Sequence, residues 1–335
     1  MTIFTMCGTL RDLSCQAFDW CCRFLPCLSD PARRSALGLK VALVTLLHLI
    51  YAGVLFLFDE GLIEKLETEP WYTGTYLTLF VITLVQYLVT SGSSPGYVLD
   101  AMRTVNEANS ATVSKQPAAS SKGSVVVTVG GSYGTPWRKL VMDLYPLGTP
   151  ISICSKCNAE QPPRSKHCRD CETCVLQFDH HCPSLGICIG VGNRFKYWCY
   201  ICEETALCLW TGILYITYLK TRDISSAWWK DAIMIVLLVP LSITLLFLLF
   251  LLLFHSYLIL TNQTTDEYVR RKRITYFRGI PERVYPFSKG ACRNLYEFCC
   301  LQSSKYRMES VPTVLELEDK TRPYTCTDVV TCRCC

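Results

Sequence analysis

Residues 154–188, CSKCNAEQPPRSKHCRDCETCVLQFDHHCPSLGIC, place seven cysteines and three histidines within 35 positions. No packing requirement explains that density. The spacing repeats: Cys154-x2-Cys157-x9-His167-x6-Cys174 recurs fourteen residues later as Cys168-x2-Cys171-x9-His181-x6-Cys188. Each unit supplies three thiolates and one imidazole, the ligand set of a closed structural zinc site. The two units interleave, so two Zn2+ ions would brace one another rather than follow like beads.

Eight ligands leave two residues over. His181 is the repeat-mate of His167, which frees His180. Cys182 is the repeat-mate of Cys168 and opens a third unit, but the position of its second thiol is Leu185. A free thiol, a free imidazole and a carboxylate therefore stand in one run, Asp179-His180-His181-Cys182. The thiolate is the nucleophile of cysteine chemistry, and a nearby base makes it available at neutral pH. Asp179 would fix the tautomer of His180 and stabilise the imidazolium that forms. The competing reading gives all ten residues to metal, and it leaves that nucleophile and base without a task.

These groups must be held by something, and the rest of the chain is largely membrane. Half of the 335 residues are apolar. Residues 37–58, 71–90, 197–219 and 232–260 are each long enough to cross a hydrocarbon core of about 30 Å as a helix. The expected class is an α-helical integral membrane protein. It has four transmembrane helices and a cytosolic zinc-binding cysteine-rich domain, 151–196, between helices 2 and 3. An N-terminal segment (1–36), a linker (91–150) and a C-terminal tail (261–335) complete the division. Arg33, Arg34 and Lys40 precede or open the first span, acidic residues follow it, and Arg270, Arg271, Lys272 and Arg273 follow the fourth. Basic residues stay on the cytosolic side, so both termini and the 91–196 loop are expected there. None of the 22 cysteines falls in either expected lumenal loop, as suits a reducing compartment. No cleavable signal peptide is evident in residues 1–30.

The cysteine-rich segment resembles that of the DHHC-type protein S-acyltransferases (palmitoyltransferases), through Asp179-His180-His181-Cys182, Cys188 and Asn193. The similarity extends along the chain and is nearest to plant members of Golgi and vacuolar membranes, which share CVLQFDHHC, ICEET and the tail RPYTC…CRCC. The resemblance implies transfer of a fatty acyl group, palmitoyl above all, from acyl-CoA to protein cysteines by a ping-pong route through Cys182. It implies palmitoyl-CoA, cysteine-bearing membrane-associated proteins and the lipid bilayer as partners, and no nucleic acid. Thr264-Thr265-Asp266-Glu267 matches the family's Thr-Thr-x-Glu motif. There Thr265 would hydrogen-bond Asp179, and Glu267 would help to dock the cysteine-rich domain. Asn294, in a matching C-terminal motif, would tie the tail to the membrane helices. Two positions depart from the pattern: Ser94 stands for the usual Asp before Pro95-Gly96, and Ser184 for the usual Trp after the catalytic cysteine.

Several residues carry two readings. Cys7, Cys15, Cys21, Cys22 and Cys27 are either packed in an interfacial helix or reversibly S-acylated. The same holds for Cys292, Cys299 and Cys300 and for Cys326, Cys332, Cys334 and Cys335. Glu203 and Glu204 are expected in the interface beside Arg194 and Lys196 rather than in the chemistry. His48 and His255 are expected to pack or to hydrogen-bond, and Pro240 to kink the fourth span. Residues 104–136 read as a flexible Ser/Ala/Gly-rich linker with a short valine run, Val125–Val127. A non-catalytic membrane-anchored zinc adaptor is the alternative to an enzyme. A RING-like ubiquitin ligase fits the compact repeat and the spare Asp-His-Cys run less well.

Overall fold

The computed structural model describes residues 31–113, 135–146, 148–221, 228–300 and 306–321. The N-terminal cysteines, the valine run 125–127 and the tail cysteines 326–335 lie outside the described residues. In chain order the first elements are α1 (Pro31–Phe58), a short α2 (Glu60–Thr68), α3 (Pro70–Ser91), α4 (Val98–Val113) and α5 (Pro136–Asp143). Six short strands follow: β1 (Ile153–Cys154), β2 (Ala159–Glu160), β3 (Lys166–Cys168), β4 (Thr173–Val175), β5 (His180–Cys182) and β6 (Ile187–Ile189). They pair in sequence as three two-stranded sheets. Next come α6 (Arg194–Thr221), α7 (Trp228–Leu260), α8 (Thr265–Arg270), two 3-10 turns, α9 (Ala291–Cys300) and α10 (Val314–Thr321).

Helices α1, α3, α6 and α7 are long and apolar enough to cross a membrane. In lipid every backbone polar group must be satisfied internally, and an unbroken helix does this. Pro240 lies inside α7, which continues through it. Asp59 separates α1 from α2 and caps the latter, accepting from the Leu62 amide at 3.1 Å.

The chain forms two compact units. The first comprises residues up to Ser94, the loop Cys182–Ile187, and Asn193–Tyr257. Its core gathers Ala52, Leu55, Tyr76, Leu207, Leu214, Tyr215 and Met234. Polar tips inside it are paired: Tyr76 Oη with Thr211 Oγ1 at 3.1 Å, Tyr215 Oη to the Tyr51 carbonyl at 3.0 Å, Trp198 Nε1 to Ser256 Oγ at 3.0 Å. Leu46, Leu57, Val81, Ile213, Val236, Phe247, Phe250 and Leu253 point outward, where lipid replaces water as the surrounding solvent. Glu204 differs from expectation. It is paired with His48 of α1 at 3.2 Å, both side chains nearly buried, rather than held by Arg194 or Lys196. A carboxylate nearly three turns into the helix that begins at Arg194 needs a partner at its own depth, and His48 supplies it. His255 is buried with its ring edge-on to Tyr197, centroids 5.2 Å apart.

The second unit comprises Pro95–His181, Cys188–Gly192 and the chain from Leu258 onward. Val98, Ala101, Trp137, Val141, Ala159 and Leu176 form its core beside Cys154 and Cys174. Helix α4 corrects the linker reading: residues 104–113 are helical, not irregular. Val98, Ala101 and Val105 recur at helical spacing and pack into this core, and that burial outweighs a Ser- and Asn-rich composition. Thr135 ends the linker region by capping α5, accepting from the Arg138 amide at 3.3 Å. Gly190 is required by close approach. A Cβ there would lie 2.6 Å from Val175 Cγ1 and 2.7 Å from the Pro95 carbonyl.

Candidate active site and metal centres

The ten cysteines and histidines of the repeat sit on the three hairpins and their turns. In β3 and β4, His167 lies opposite Cys174 and Cys168 opposite Thr173. Successive strand residues face opposite sides, so β3 gives His167 to one cluster and Cys168 to the other. That alternation is how the sites interleave.

Cys154, Cys157, His167 and Cys174 converge in the first cluster; Cys168, Cys171, His181 and Cys188 converge in the second. From His167 Nδ1 the three sulfurs lie at 3.5, 3.3 and 3.8 Å. From His181 Nδ1 they lie at 3.8, 3.4 and 3.7 Å. A tetrahedral zinc ion with bonds of about 2.3 Å to sulfur and about 2.0 Å to nitrogen separates S from N by about 3.5 Å. The donor set and its spacing fit that ion in both clusters.

The turn that carries Cys182 has the shape of a zinc knuckle. The Asn158 amide donates to the Cys154 carbonyl at 2.8 Å, and the Gly186 amide donates to the Cys182 carbonyl at 2.8 Å. The residue closing each turn has positive φ: Asn158 at 49°, Glu172 at 52° and Gly186 at 70°. The third knuckle has Leu185, fully buried, where the other two place a thiol. Cys182 thus occupies a first-ligand position without a second ligand. Its loop is fastened to the membrane helices of its unit, by Lys40 Nζ to the Pro183 carbonyl at 2.6 Å and Tyr87 Oη to the Ser184 carbonyl at 3.1 Å. Cys182 is buried, and its Sγ lies 3.1 Å from Ser184 Oγ.

Asp179 is buried and its carboxylate accepts three hydrogen bonds. They come from His180 Nδ1 at 2.7 Å, Thr265 Oγ1 at 2.7 Å and the Thr265 amide at 2.9 Å. A carboxylate only accepts, so His180 carries its proton on Nδ1 and keeps Nε2 as the basic nitrogen. Along β5, His180 and Cys182 alternate with the cluster residue His181, which puts them on the opposite strand face.

Thr265 reaches Asp179 because α8 begins there. Thr264 caps that helix: its Oγ1 accepts from the Glu267 amide at 3.2 Å, while Glu267 Oε2 accepts from the Thr264 amide at 2.9 Å. This reciprocal cap is written in the Thr-x-x-Glu spacing. Glu267 also receives Arg164 through two bonds of 2.8 and 2.9 Å. Arg164 is fully buried, lies over the Phe287 ring at 4.3 Å, donates to the Asn262 carbonyl, and pairs with Glu309. Burial opposes its charge, but Glu267 and Glu309 hold its pKa above the ordinary value. Lys166 Nζ bonds Asp266 at 2.5 Å. Asn294 donates to the Leu260 carbonyl at 2.7 Å and to Ser288 Oγ at 2.8 Å, and accepts from the Lys289 amide at 2.9 Å.

Sequence reasoning missed Arg164, Glu309 and the contact of Ser184 with the thiol. The capping-box spacing pointed to Glu267; nothing local marked Arg164 or Glu309.

Comparison with known proteins decides the family. Residues 149–272 match the DHHC palmitoyltransferase family. Over 334 residues the chain is 58% identical to protein S-acyltransferase 10 of Arabidopsis thaliana, covering 96% of each chain. It is 36% identical over 150 residues to a putative ZDHHC-type palmitoyltransferase 7 of Dictyostelium discoideum, covering 44% of this chain and 34% of that one. It is 26% identical over 268 residues to a probable protein S-acyltransferase 3 of Arabidopsis thaliana, covering 76% and 60%.

The chain belongs to the DHHC palmitoyltransferase family. It is a multi-pass membrane protein and a protein S-acyltransferase, with two Cys3His clusters in the segment between its second and third long helices.

Proposed function

We propose that this acyltransferase moves a palmitoyl group from palmitoyl-CoA to cysteine thiols of membrane-associated proteins through a thioester on Cys182. The observation that carries the reading is the Asp179 carboxylate, which accepts from His180 Nδ1 and from Thr265, so that the other ring nitrogen of His180 stays basic. His180 Nε2 takes the Cys182 proton. The thiolate attacks the acyl carbonyl, the C–S bond to CoA breaks, and the imidazolium returns the proton to the CoA thiolate. A substrate thiol repeats the exchange in the other direction. Thioester replaces thioester, so position and a ready nucleophile matter more than driving force.

The two clusters would hold zinc, which when bound locks the hairpins that carry Asp179, His180 and Cys182. Thr265 holds the Asp179 carboxylate, Thr264 and Glu267 cap the helix that presents Thr265, and Asn294 holds the chain after α7. The active site and both termini lie on the cytosolic side, by the basic residues that flank the spans, and the resemblance of the sequence to plant members of Golgi and vacuolar membranes extends the reading to one of those membranes.

Incubation of the purified protein with palmitoyl-CoA tests the chemistry. Wild type forms a hydroxylamine-sensitive thioester at Cys182, and Cys182→Ser falls to background because the covalent route is gone. His180→Ala forms it slowly and recovers as pH rises past a free thiol pKa of about 8.5. Transfer at the wild-type rate by Cys182→Ser overturns the assignment of the nucleophile.

A further inference from the structure

We propose that Ser310 is a phosphorylation site, and that its phosphate is held in a cleft by Lys289, Arg307 and Lys320 and locks the C-terminal segment in place. The proposal goes beyond acyl transfer, and only its effect on thioester formation rests on the acyl-enzyme reading above.

Residues 307–313 are irregular, and Ser310 is exposed within them. The next residue, Val311, is buried, and its amide bonds the Leu144 carbonyl at 2.9 Å. The serine is thus presented on a segment that is anchored beside it. Arg307 stands three positions before it and Pro312 two after. A cation at a fixed offset from a hydroxyl is the kind of charge pattern by which protein kinases select substrates. In the step itself the Ser310 oxygen attacks the γ-phosphorus of ATP. A new O–P bond forms, the bond to the β–γ bridging oxygen breaks, the hydroxyl proton passes to the kinase's base, and ADP leaves.

Ser310 borders a cleft of about 380 Å³ together with Lys289, Arg307, Lys320, Glu309 and Glu316. Both carboxylates are already engaged. Glu316 accepts from the Thr313 amide at 2.7 Å and the Thr313 hydroxyl at 3.1 Å, and Glu309 accepts from Arg307 at 3.2 Å and from Arg164. The Lys320 ammonium donates to two neutral acceptors, the Pro286 carbonyl and, at 2.9 Å, the Ser288 carbonyl. Burial holds its pKa below the ordinary value, and Lys289 adds repulsion that Glu316 and Glu309 do not offset. A phosphate brings about −1.5 to −2 charges and three acceptor oxygens to these cations. It would join three separate pieces of chain: the turn at Lys289, the segment at Arg307 and α10 at Lys320.

The neighbouring residue connects this cleft to the site. Glu309 pairs with Arg164, Arg164 grips Glu267, and Glu267 caps the helix that presents Thr265 to Asp179. All of these residues belong to the second compact unit. A segment fixed at Ser310 keeps Glu309 on Arg164, and so preserves the hold of Thr265 on Asp179.

Two preparations of the full-length purified protein test the idea. In the first, the chain is incubated with ATP and an arginine-directed serine kinase, and phosphate is mapped by peptide mass spectrometry. Phosphate is expected at Ser310 and is absent there from Ser310→Ala; a wild-type chain left bare at Ser310 overturns the modification site. In the second, phosphoserine is inserted at position 310 during translation, which tests the cleft independently of any kinase. Relative to the unmodified chain, hydrogen exchange across residues 306–321 is expected to slow by about tenfold or more, the scale of hydrogen bonds between charged groups. Thioester formation should also survive longer on warming. Within the Lys320→Gln background, adding the phosphoserine should slow exchange far less. Equal or faster exchange in the phosphoserine protein overturns the lock, and a full gain in the Lys320→Gln background removes Lys320 from the cradle. A chain that forms no thioester at Cys182, with or without phosphate, overturns the acyl-enzyme reading and leaves the exchange result standing.

Discussion

Arg164 and Glu267, 103 residues apart in sequence, meet through two hydrogen bonds with side-chain exposures of 0% and 3%. The pair joins the turn before β3 to the cap of α8, and α8 presents Thr265 to Asp179. Breaking a buried pair from one side leaves a charge uncompensated and costs about 3–5 kcal/mol. Arg164→Met is therefore expected to lower the thermal stability of the detergent-purified protein by that order and to slow acyl-enzyme formation. Arg164→Lys keeps the charge but not the fork, and should fall between the two. An unchanged melting curve for Arg164→Met would show that the pair supports nothing.

The clusters and the nucleophile's neighbours should separate by metal content. Cys168→Ser, Cys174→Ser and His181→Ala each remove a ligand, so they are expected to lose zinc and to lower abundance, since structural zinc contributes directly to folding. His180→Ala and Asp179→Ala should retain two zinc ions per chain and lose transfer. Elemental analysis decides. One zinc missing from His180→Ala would refute the division of ligands from base.

Ser184 Oγ, 3.1 Å from Cys182 Sγ, stands where relatives by resemblance carry a Trp. A hydroxyl that donates to a thiolate favours the reactive form, and a hydrogen bond to a charged group is worth about 1.5–3 kcal/mol. Ser184→Ala is expected to slow thioester formation by roughly tenfold or more near neutral pH. The deficit should shrink as the pH rises and solvent supplies the thiolate. Identical pH profiles for the two proteins would mean that the contact is packing only.

Glu297 provides a pH prediction. Burial works against its charge, yet Lys289, Arg307 and Arg293 hold its carboxyl down to about 2 from the usual 4.5. A pKa lower in the folded state contributes stability above about 4.5 that is lost as pH falls toward 2. Protection of the α9 amides against hydrogen exchange, taken relative to the intrinsic rate at each pH, should fall across that window in wild type. Glu297→Gln should exchange faster already at neutral pH and show little further change. A flat wild-type profile would count against the cluster.

The sequence by itself determined the parts that depend on short separations. A knuckle of two residues between thiols has one tight turn to adopt, so a fourteen-residue repeat was enough to sort eight residues into two clusters and to leave Cys182 and His180 over. Four apolar runs sufficed for four long helices, because a helix closes its hydrogen bonds within itself. Tertiary structure decided what depends on distant partners. Arg164 with Glu267 and Glu309, and His48 with Glu204, join residues more than a hundred positions apart and leave no periodic trace. Ser184 is two residues from Cys182, but only the fold of the third knuckle turns its hydroxyl toward the thiol. Residues 104–113 read as linker because their composition is weakly apolar, and they became helix because Val98, Ala101 and Val105 found Trp137 and Val141 to pack against.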